Sequence, residues 1–124
     1  MVIDSHQHFW QFNAKDFAWL DTELSVLRRD FSPQDLVAEM SRTGVDASIA
    51  VEARQCVEET DWLISLSKNN PKIAGIVAWL PIALPEFPEL LGKYAQVECV
   101  KGFRHVVQDE PAGFLDGKAF NKGI

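Results

Sequence analysis

The sequence predicts an α/β fold with parallel strands, and two observations support this prediction. Apolar runs that suit buried strands alternate with segments of helical periodicity, so that a strand followed by a helix recurs four times. Four such units in 124 residues average about 31 residues each, and eight units at that rate need about 250 residues, the usual length of a (β/α)8 barrel. We therefore expect residues 1–124 to form one truncated domain, the N-terminal half of a (β/α)8 TIM barrel.

The first strand is predicted to run from Val2 through His8, because its apolar start suits a buried strand. The two-residue period of a strand puts Asp4, His6 and His8 on one face. The run from Gln11 to Leu24 has no clean period, so we expect a long loop there. Its aromatic residues either line a pocket over the strand end or pack the loop onto the body, and the sequence leaves both alternatives open.

Signals for the first helix surround residues 33–43. Ser32 suits the N-cap, Pro33 suits the first helical position, and Gly44 suits the C-terminal end. The predicted buried face consists of Leu36, Val37 and Met40.

The remaining elements follow the same alternation of strand and helix. Strands are predicted over Asp46–Val51, Ile73–Leu80 and Val100–Val107, and helices over Glu58–Ser67, over Glu89–Tyr94 and after Asp116. The third strand is apolar on both faces, which is typical of a central strand in a parallel sheet. We expect Asp116 to cap the last helix, in which Ile124 lies.

Composition excludes several classes of protein. The net charge is −6 and the 12 basic residues are scattered, so nucleic acid and anionic membrane are poor partners. No apolar run is long enough to span a membrane and no signal-peptide pattern begins the chain, so we expect a soluble, cytoplasmic protein. Cys56 and Cys99 belong to no paired-cysteine motif and are expected to be ordinary reduced thiols.

Ligands of parallel α/β folds bind at the carboxyl ends of the strands, which here are residues 6–10, 52–55, 80–82 and 104–108. Two imidazoles on one strand face, those of His6 and His8, can supply two ligands to Zn²⁺, Mn²⁺ or Fe²⁺. Without a metal the same pair can perform acid or base catalysis. The alternative is that both histidines pack or face solvent.

The fourth strand contributes a candidate cation. Side-chain alternation predicts that Arg104 and Gln108 face the interior, whereas His105 points outward as a packing histidine. A guanidinium in the interior needs an anionic partner, which a substrate carboxylate or a developing oxyanion can provide. The alternative is a protein partner, either Asp4 or Glu52.

Four stretches resemble the sugar-lactonase branch of the amidohydrolase superfamily, which includes L-fuconolactonases, L-rhamnonolactonases and related TIM-barrel hydrolases. They are Ile3–Trp10, Glu59–Leu63, Ile73–Trp79 and Val100–Pro111, and they follow the family's order and spacing over the whole chain. The most specific stretch is Lys-Gly-Phe-Arg-His-Val-Val-Gln-Asp-Glu-Pro at residues 101–111.

The resemblance implies hydrolysis of a sugar lactone, an aldonolactone, in which water attacks the ring carbonyl. It implies that His6 and His8 are catalytic and bind one divalent metal, Zn²⁺ or Mn²⁺, or polarise the carbonyl directly, because some members of the branch resemble enzymes that need no added metal. It also places Arg104 in the lactone-binding pocket as a catalytic and substrate-binding residue. Gln108 and Trp10 are the further candidates for substrate binding.

The family pattern also has a histidine on a later strand and an aspartate, the base for the water, on the last strand, and these 124 residues end before either. We therefore expect no turnover by the isolated chain and self-association through the open edge of the fourth strand, where Val100, Phe103 and Val107 would be uncovered. Two alternatives remain open. One is a non-catalytic product of a truncated gene, which the downstream reading frame would test, and the other is a metal-dependent decarboxylase of the same superfamily, which the Gln-Asp-Glu-Pro stretch disfavours.

Overall fold

The computed structural model describes residues 1–20 and 23–124, and it confirms the predicted α/β class with four parallel strands. The strands are β1 Ile3–Gln7, β2 Ala47–Val51, β3 Ile73–Ala78 and β4 Val100–Phe103, paired side by side in chain order. The helices are α1 Pro33–Thr43, α2 Val57–Asn69, α3 Phe87–Tyr94 and α4 Lys118–Gly123, with short 3-10 helices at Ser25–Leu27 and Phe114–Asp116. The predicted loop from Gln11 to Leu24 includes Asp21 and Thr22, which lie outside the described residues.

The core lies between the two central strands and the helices that pack on them. Ala50 of β2 and Ile76 of β3 are fully buried, and they form one apolar cluster with Leu63 of α2, which is also fully buried. Within the described sheet, β1 and β4 are the outer strands. Ile3 of β1 is correspondingly exposed. The buried middle of the sheet thus fixes the positions at which the four strands end.

The first helix has the predicted ends. The carboxylate of Asp35 accepts hydrogen bonds from the backbone N–H and the hydroxyl of Ser32, at 2.8 and 2.6 Å. Gly44 ends the helix in the left-handed conformation, with φ of 73°. Met40 is buried as predicted. The assignment of Val37 to the buried face is wrong: Val37 lies about 100° around the helix from Leu36, and its side chain is exposed to solvent.

The fourth strand is shorter than predicted. It ends at Phe103, because the N–H of Arg104 makes the last bond to β3, at 2.8 Å from the carbonyl of Ala78. The chain then leaves the sheet, and the N–H of Val106 donates instead to the side chain of Gln55, at 2.7 Å. The predicted strand over Val100–Val107 is therefore wrong beyond Phe103.

Exposure along this outer strand also differs from the expectation. Val107 is exposed as predicted, but Val100 and Phe103 are half-buried and pack against the core cluster. The predicted uncovered apolar edge is therefore limited, because the core cluster already covers the side chains of two of its three residues.

The last helix begins later than predicted. Gly117 occupies the N-cap of α4, and Asp116 instead ends the short 3-10 helix that precedes it. The predicted capping role of Asp116 is wrong because that 3-10 turn shifts the start of the helix by one residue. None of the helices in residues 1–20 and 23–124 is both long and apolar enough to cross a membrane.

Thr60 joins α2 to the segment that follows β3, and this contact yields a stability prediction. Its fully buried hydroxyl donates to the carbonyl of Trp79 at 2.7 Å and accepts from the N–H of Trp79 at 3.2 Å. Thr60→Val removes both bonds and leaves the half-buried N–H and carbonyl of Trp79 without these partners, each at a cost of about 1–3 kcal/mol. We expect the free energy of unfolding in urea to fall by at least about 2 kcal/mol.

Thr60→Ser is the matched control, because it keeps the hydroxyl and loses only a methyl group, a change of about 0.8 kcal/mol in burial. Equal stability of Thr60→Val and the unchanged chain would contradict the assigned role of this hydroxyl.

Candidate active site at the carboxyl edge of the sheet

Residues that follow β1, β2 and β4 meet at the carboxyl edge of the sheet, where they line a cavity of about 790 Å³. The lining consists of His8, Trp10, Asp16, Phe17, Trp19, Glu52, Ala53, Arg54, Gln55, Cys56, Glu58, Arg104, Val106 and Asp109. Three of the four segments predicted to carry the site thus contribute to one cavity, as expected for strands that run in parallel.

The two histidines converge as their spacing predicts. The Nε2 atoms of His6 and His8 lie 3.1 Å apart, and their ring centroids are separated by 4.9 Å. His8 Nδ1 lies 3.0 Å from the carbonyl oxygen of Val51, at the end of the neighbouring strand. A carbonyl can only accept, so His8 carries its proton on Nδ1 and directs the lone pair of Nε2 toward His6.

This pair fits a divalent metal in part. His6 and His8 would hold the ion, since imidazole nitrogens are donors to Zn²⁺ and the two Nε2 atoms lie close together. The hydrogen bond from His8 to Val51 is the kind of outer contact that orients a metal-ligating histidine. Among the described residues, however, no group of three histidine, cysteine or acidic side chains could hold a metal ion. The chain therefore offers two of the donors that a metal centre needs.

The surroundings of His8 favour its neutral form. Burial lowers the pKa of His8, and the charges of His6 and Arg104 lower it further, whereas the hydrogen bonds to the backbone of Val51 and Glu52 oppose the shift. A neutral imidazole is the form that binds a metal or accepts a proton.

Arg104 lies beside Glu52, one of the two protein partners that the sequence left open. Its Nε is 3.5 Å from Oε1 of Glu52, and only 1% of the Glu52 side chain is exposed. That separation is longer than a hydrogen bond. Among the residues that the structure describes, neither carboxylate oxygen of Glu52 has a hydrogen-bond partner, and Nη1 of Arg104 has none either. The ion pair thus leaves three buried polar atoms without hydrogen-bond partners beside the cavity.

Glu52 is a candidate site residue that the sequence did not single out: it lay within residues 52–55, one of the expected site segments, and was otherwise considered as a partner for Arg104. Burial raises the pKa of Glu52 to about 7, and the carboxylate of Glu59 adds to the shift while Arg104 opposes it. A perturbed carboxyl group in a cleft is a signature of functional sites. The available signal was its position, directly after the apolar run of β2 and at the carboxyl end of that strand.

The aromatic loop, the segment that follows β1, both packs onto the body of the protein and lines the cavity. Both alternatives that the sequence left open for its aromatic residues are therefore correct. Phe17 is buried, and its ring centroid lies 6.1 Å from that of Trp10. The indole N–H of Trp10 donates to the carbonyl of Leu27 at 3.3 Å. Trp19, in contrast, is 62% exposed although it borders the cavity. Trp10 is therefore held in place at the cavity wall.

An ion-pair chain fixes the loop against the sheet. Arg54 contacts the buried Glu59 at 2.9 Å and Asp16 of the aromatic loop at 2.8 Å. Glu59 also accepts from the N–H of Ala53 at 3.0 Å. These bonds join the segment after β2 to the loop after β1, and both segments line the cavity.

The structure separates the two remaining polar residues of the fourth strand segment from the cavity. Gln108 lies exposed in a turn and does not line the cavity, so the parity argument that placed it beside Arg104 is wrong because the strand ends at Phe103. His105 accepts from the indole N–H of Trp79 at 3.2 Å and lies 2.6 Å from Glu110. His105 is thus a satisfied packing histidine, as predicted.

The carboxyl edge of this parallel α/β sheet gathers imidazoles, a guanidinium and a buried carboxylate, and this edge is where barrel enzymes of the α/β class carry their active sites. Residues 3–123 match the family described as amidohydrolase, and the chain belongs to that family.

Known relatives agree with this assignment. The chain is 37% identical to an L-fucono-1,5-lactonase of Burkholderia multivorans over 98% of its own length and 42% of the relative's. It is 32% identical to an L-fucono-1,5-lactonase of Burkholderia ambifaria, over 86% of this chain and 37% of the relative. A crystal structure of a Burkholderia multivorans amidohydrolase with bound zinc superposes with a TM-score of 0.93 at 37% identity, over 99% of this chain and 44% of that one. The chain thus spans less than half the length of these relatives.

We predict weak zinc binding by the chain, because two imidazoles leave a zinc site far from closed. Calorimetric titration with Zn²⁺ should give low affinity, and His8→Ala should weaken it further. His105→Ala is the matched control, because that histidine is engaged away from the cavity. Tight binding at one equivalent that His8→Ala abolishes would contradict this prediction.

The raised pKa of Glu52 predicts a specific pH dependence of stability. The folded chain holds a proton on Glu52 more tightly than the unfolded chain, so this group favours folding at low pH, and its contribution is lost as the pH rises from about 4.5 to about 7. Glu52→Gln removes the titration and should flatten the free energy of unfolding across that interval. Urea unfolding of both proteins at several pH values measures the difference, and parallel pH profiles would contradict the burial of this carboxyl group.

Proposed function

We propose that this chain supplies part of the active site of a sugar-lactone hydrolase, with an aldono-1,5-lactone as substrate. The observation that carries the proposal is the convergence of His8, Glu52 and Arg104 on one cavity at the carboxyl edge of the sheet. The similarity to two L-fucono-1,5-lactonases over most of this chain supports lactones as the substrate class. Because the chain spans less than half of those relatives, the activity is proposed for a protein in which the rest of the barrel accompanies these residues.

Arg104 is proposed to act on the lactone carbonyl. Its Nη1 is buried at the cavity and has no hydrogen-bond partner among the described residues, so it can donate to an oxygen of the substrate. Attack of water turns the carbonyl oxygen into an oxyanion, and a guanidinium stabilises that charge most strongly where water is excluded. Trp10 and Phe17 contribute apolar surface to the same cavity.

His6 and His8 are proposed to hold a divalent metal through their Nε2 atoms. A bound Zn²⁺ or Mn²⁺ would polarise the carbonyl and lower the pKa of a water molecule. The bond between His8 Nδ1 and Val51 keeps Nε2 free for this role. Without a metal, the same orientation lets the imidazole pair hold the carbonyl oxygen through one N–H, so His6 and His8 contribute to binding in both cases.

A chimera tests the proposal. Residues 1–124 replace the matching part of the Burkholderia multivorans L-fucono-1,5-lactonase, and hydrolysis of L-fucono-1,5-lactone is followed as acid release in the presence of Zn²⁺. We expect turnover above the spontaneous rate. Removing one oxyanion-stabilising donor typically lowers kcat by about 100-fold to 1,000-fold, so Arg104→Ala and His8→Ala should each produce a loss of that order.

His105→Ala in the chimera is the matched control and should leave kcat close to that of the unchanged chimera, because the structure engages this residue in packing. The isolated chain, assayed in parallel, tests the expectation of no turnover from residues 1–124 alone. A folded chimera without lactonase activity, or one whose activity survives both substitutions, would contradict the proposed function.

A further inference from the structure

We propose that Glu52 is a specificity-determining residue that binds a ring hydroxyl of the substrate, so that the cavity selects hydroxylated lactones over unsubstituted ones. This inference rests on the proposed lactone-hydrolase function and assigns a role to a residue that the family resemblance did not single out.

The sheet fixes the position of Glu52 at the edge of the cavity. Glu52 follows the last residue of β2 directly, and its backbone N–H donates to the carbonyl of Val77 at 2.9 Å, so its backbone is fixed by the sheet. Its side chain is 1% exposed and lines the cavity that His8 and Arg104 also line. Glu52 is therefore held on a rigid element, with its carboxylate buried beside the cavity.

The carboxylate of Glu52 has hydrogen-bonding capacity that the protein does not use. An ionised carboxylate has about four acceptor positions. Among residues 1–20 and 23–124, neither oxygen of Glu52 accepts a hydrogen bond. A buried acceptor without donors is costly, so the arrangement suits a bound molecule that brings hydroxyl hydrogens into the cavity.

A comparison with the neighbouring carboxylate supports this assignment. Glu59 is equally buried, at 1% exposure, yet both of its oxygens accept hydrogen bonds, from the N–H of Ala53 and from Arg54. Glu59 is thus satisfied by the protein and serves structure. In contrast, none of the described residues donates a hydrogen bond to Glu52 at the same edge of the sheet.

Arg104 complements this carboxylate and does not replace the missing donors. Its Nε approaches Oε1 of Glu52 only to 3.5 Å, while its Nη1 remains without an acceptor among the described residues. A hydroxylated lactone carries both kinds of group, since a ring hydroxyl can donate to Glu52 and an oxygen of the ester can accept from Arg104. An unsubstituted lactone offers only the acceptor.

Ligation of a metal by Glu52 is the competing role, and the structure disfavours it. The described histidine, cysteine and acidic side chains include no group of three that could hold an ion, so the structure does not group Glu52 with His6 and His8 as a set of three ligands. A zinc titration can therefore separate the two roles. Under the proposal, Glu52→Gln leaves the zinc affinity of the chain unchanged, and a loss as large as that of His8→Ala would overturn it.

The main test measures binding of two lactams, which resist hydrolysis and keep the carbonyl of the lactone. One is a six-membered lactam with the ring hydroxyls of a sugar, and the other is unsubstituted 2-piperidinone. Binding to the 124-residue chain, whose folding is checked by circular dichroism, is followed by calorimetry. We expect the hydroxylated lactam to bind at least about tenfold more tightly, the ratio that one charge-assisted hydrogen bond provides.

Glu52→Gln should remove most of this preference while leaving the affinity for 2-piperidinone within about twofold, because it replaces a two-oxygen acceptor by one oxygen of an amide. Glu58→Gln is the matched control, since Glu58 borders the same cavity but is exposed. It should retain the preference. Equal affinities of the unchanged chain for the two lactams, or a preference that persists in Glu52→Gln, would overturn the role of Glu52.

The outcomes separate the two proposals. If the chimera hydrolyses L-fucono-1,5-lactone and Glu52→Gln leaves the preference intact, the lactonase proposal stands and the assignment of Glu52 is wrong. If the folded chain binds neither lactam and the chimera is inactive, both proposals are wrong.

Discussion

Parallel pairing of the strands is the constraint on which the candidate site depends. Because all four strands run in one direction, the residues that follow them come to a single edge of the sheet, and side chains far apart in the chain share one cavity. The hydrogen bond from His8 to the carbonyl of Val51 is a direct consequence, since that carbonyl lies at the end of the adjacent strand. The pairing of β1 with β2 therefore decides which nitrogen of His8 faces His6.

The same burial that places these groups also changes their charge. Burial lowers the pKa of His8 and raises that of Glu52, so both groups are held closer to their neutral forms than they are in water. Arg104 lowers the pKa of both groups, so it adds to the shift of His8 and opposes the shift of Glu52. The lining of the cavity contains both signs of charge, with Arg54 and Arg104 beside Asp16, Glu58 and Asp109.

Sequence patterns predicted what depends on local periodicity and missed what depends on packing between distant segments. The convergence of His6 and His8 followed from the two-residue period of a strand, and the helix from Pro33 to Gly44 followed from its capping residues. Gln108 was misplaced because alternation holds only while the chain stays in the sheet, and β4 ends at Phe103. The sequence placed Glu52 at the carboxyl end of β2, but its burial and its lack of hydrogen-bond partners could not be predicted, since they depend on packing between segments that are distant in the chain.

The central claim is that one ligand engages groups from three strand ends at this cavity, and a crystal structure of the chain with the hydroxylated lactam tests it most directly. The predicted result is a lactam whose carbonyl oxygen accepts from Nη1 of Arg104, with a ring hydroxyl donating to Glu52 and the ring lying against Trp10. A lactam bound elsewhere on the chain, or one in this cavity that contacts neither Arg104 nor Glu52, would contradict the claim.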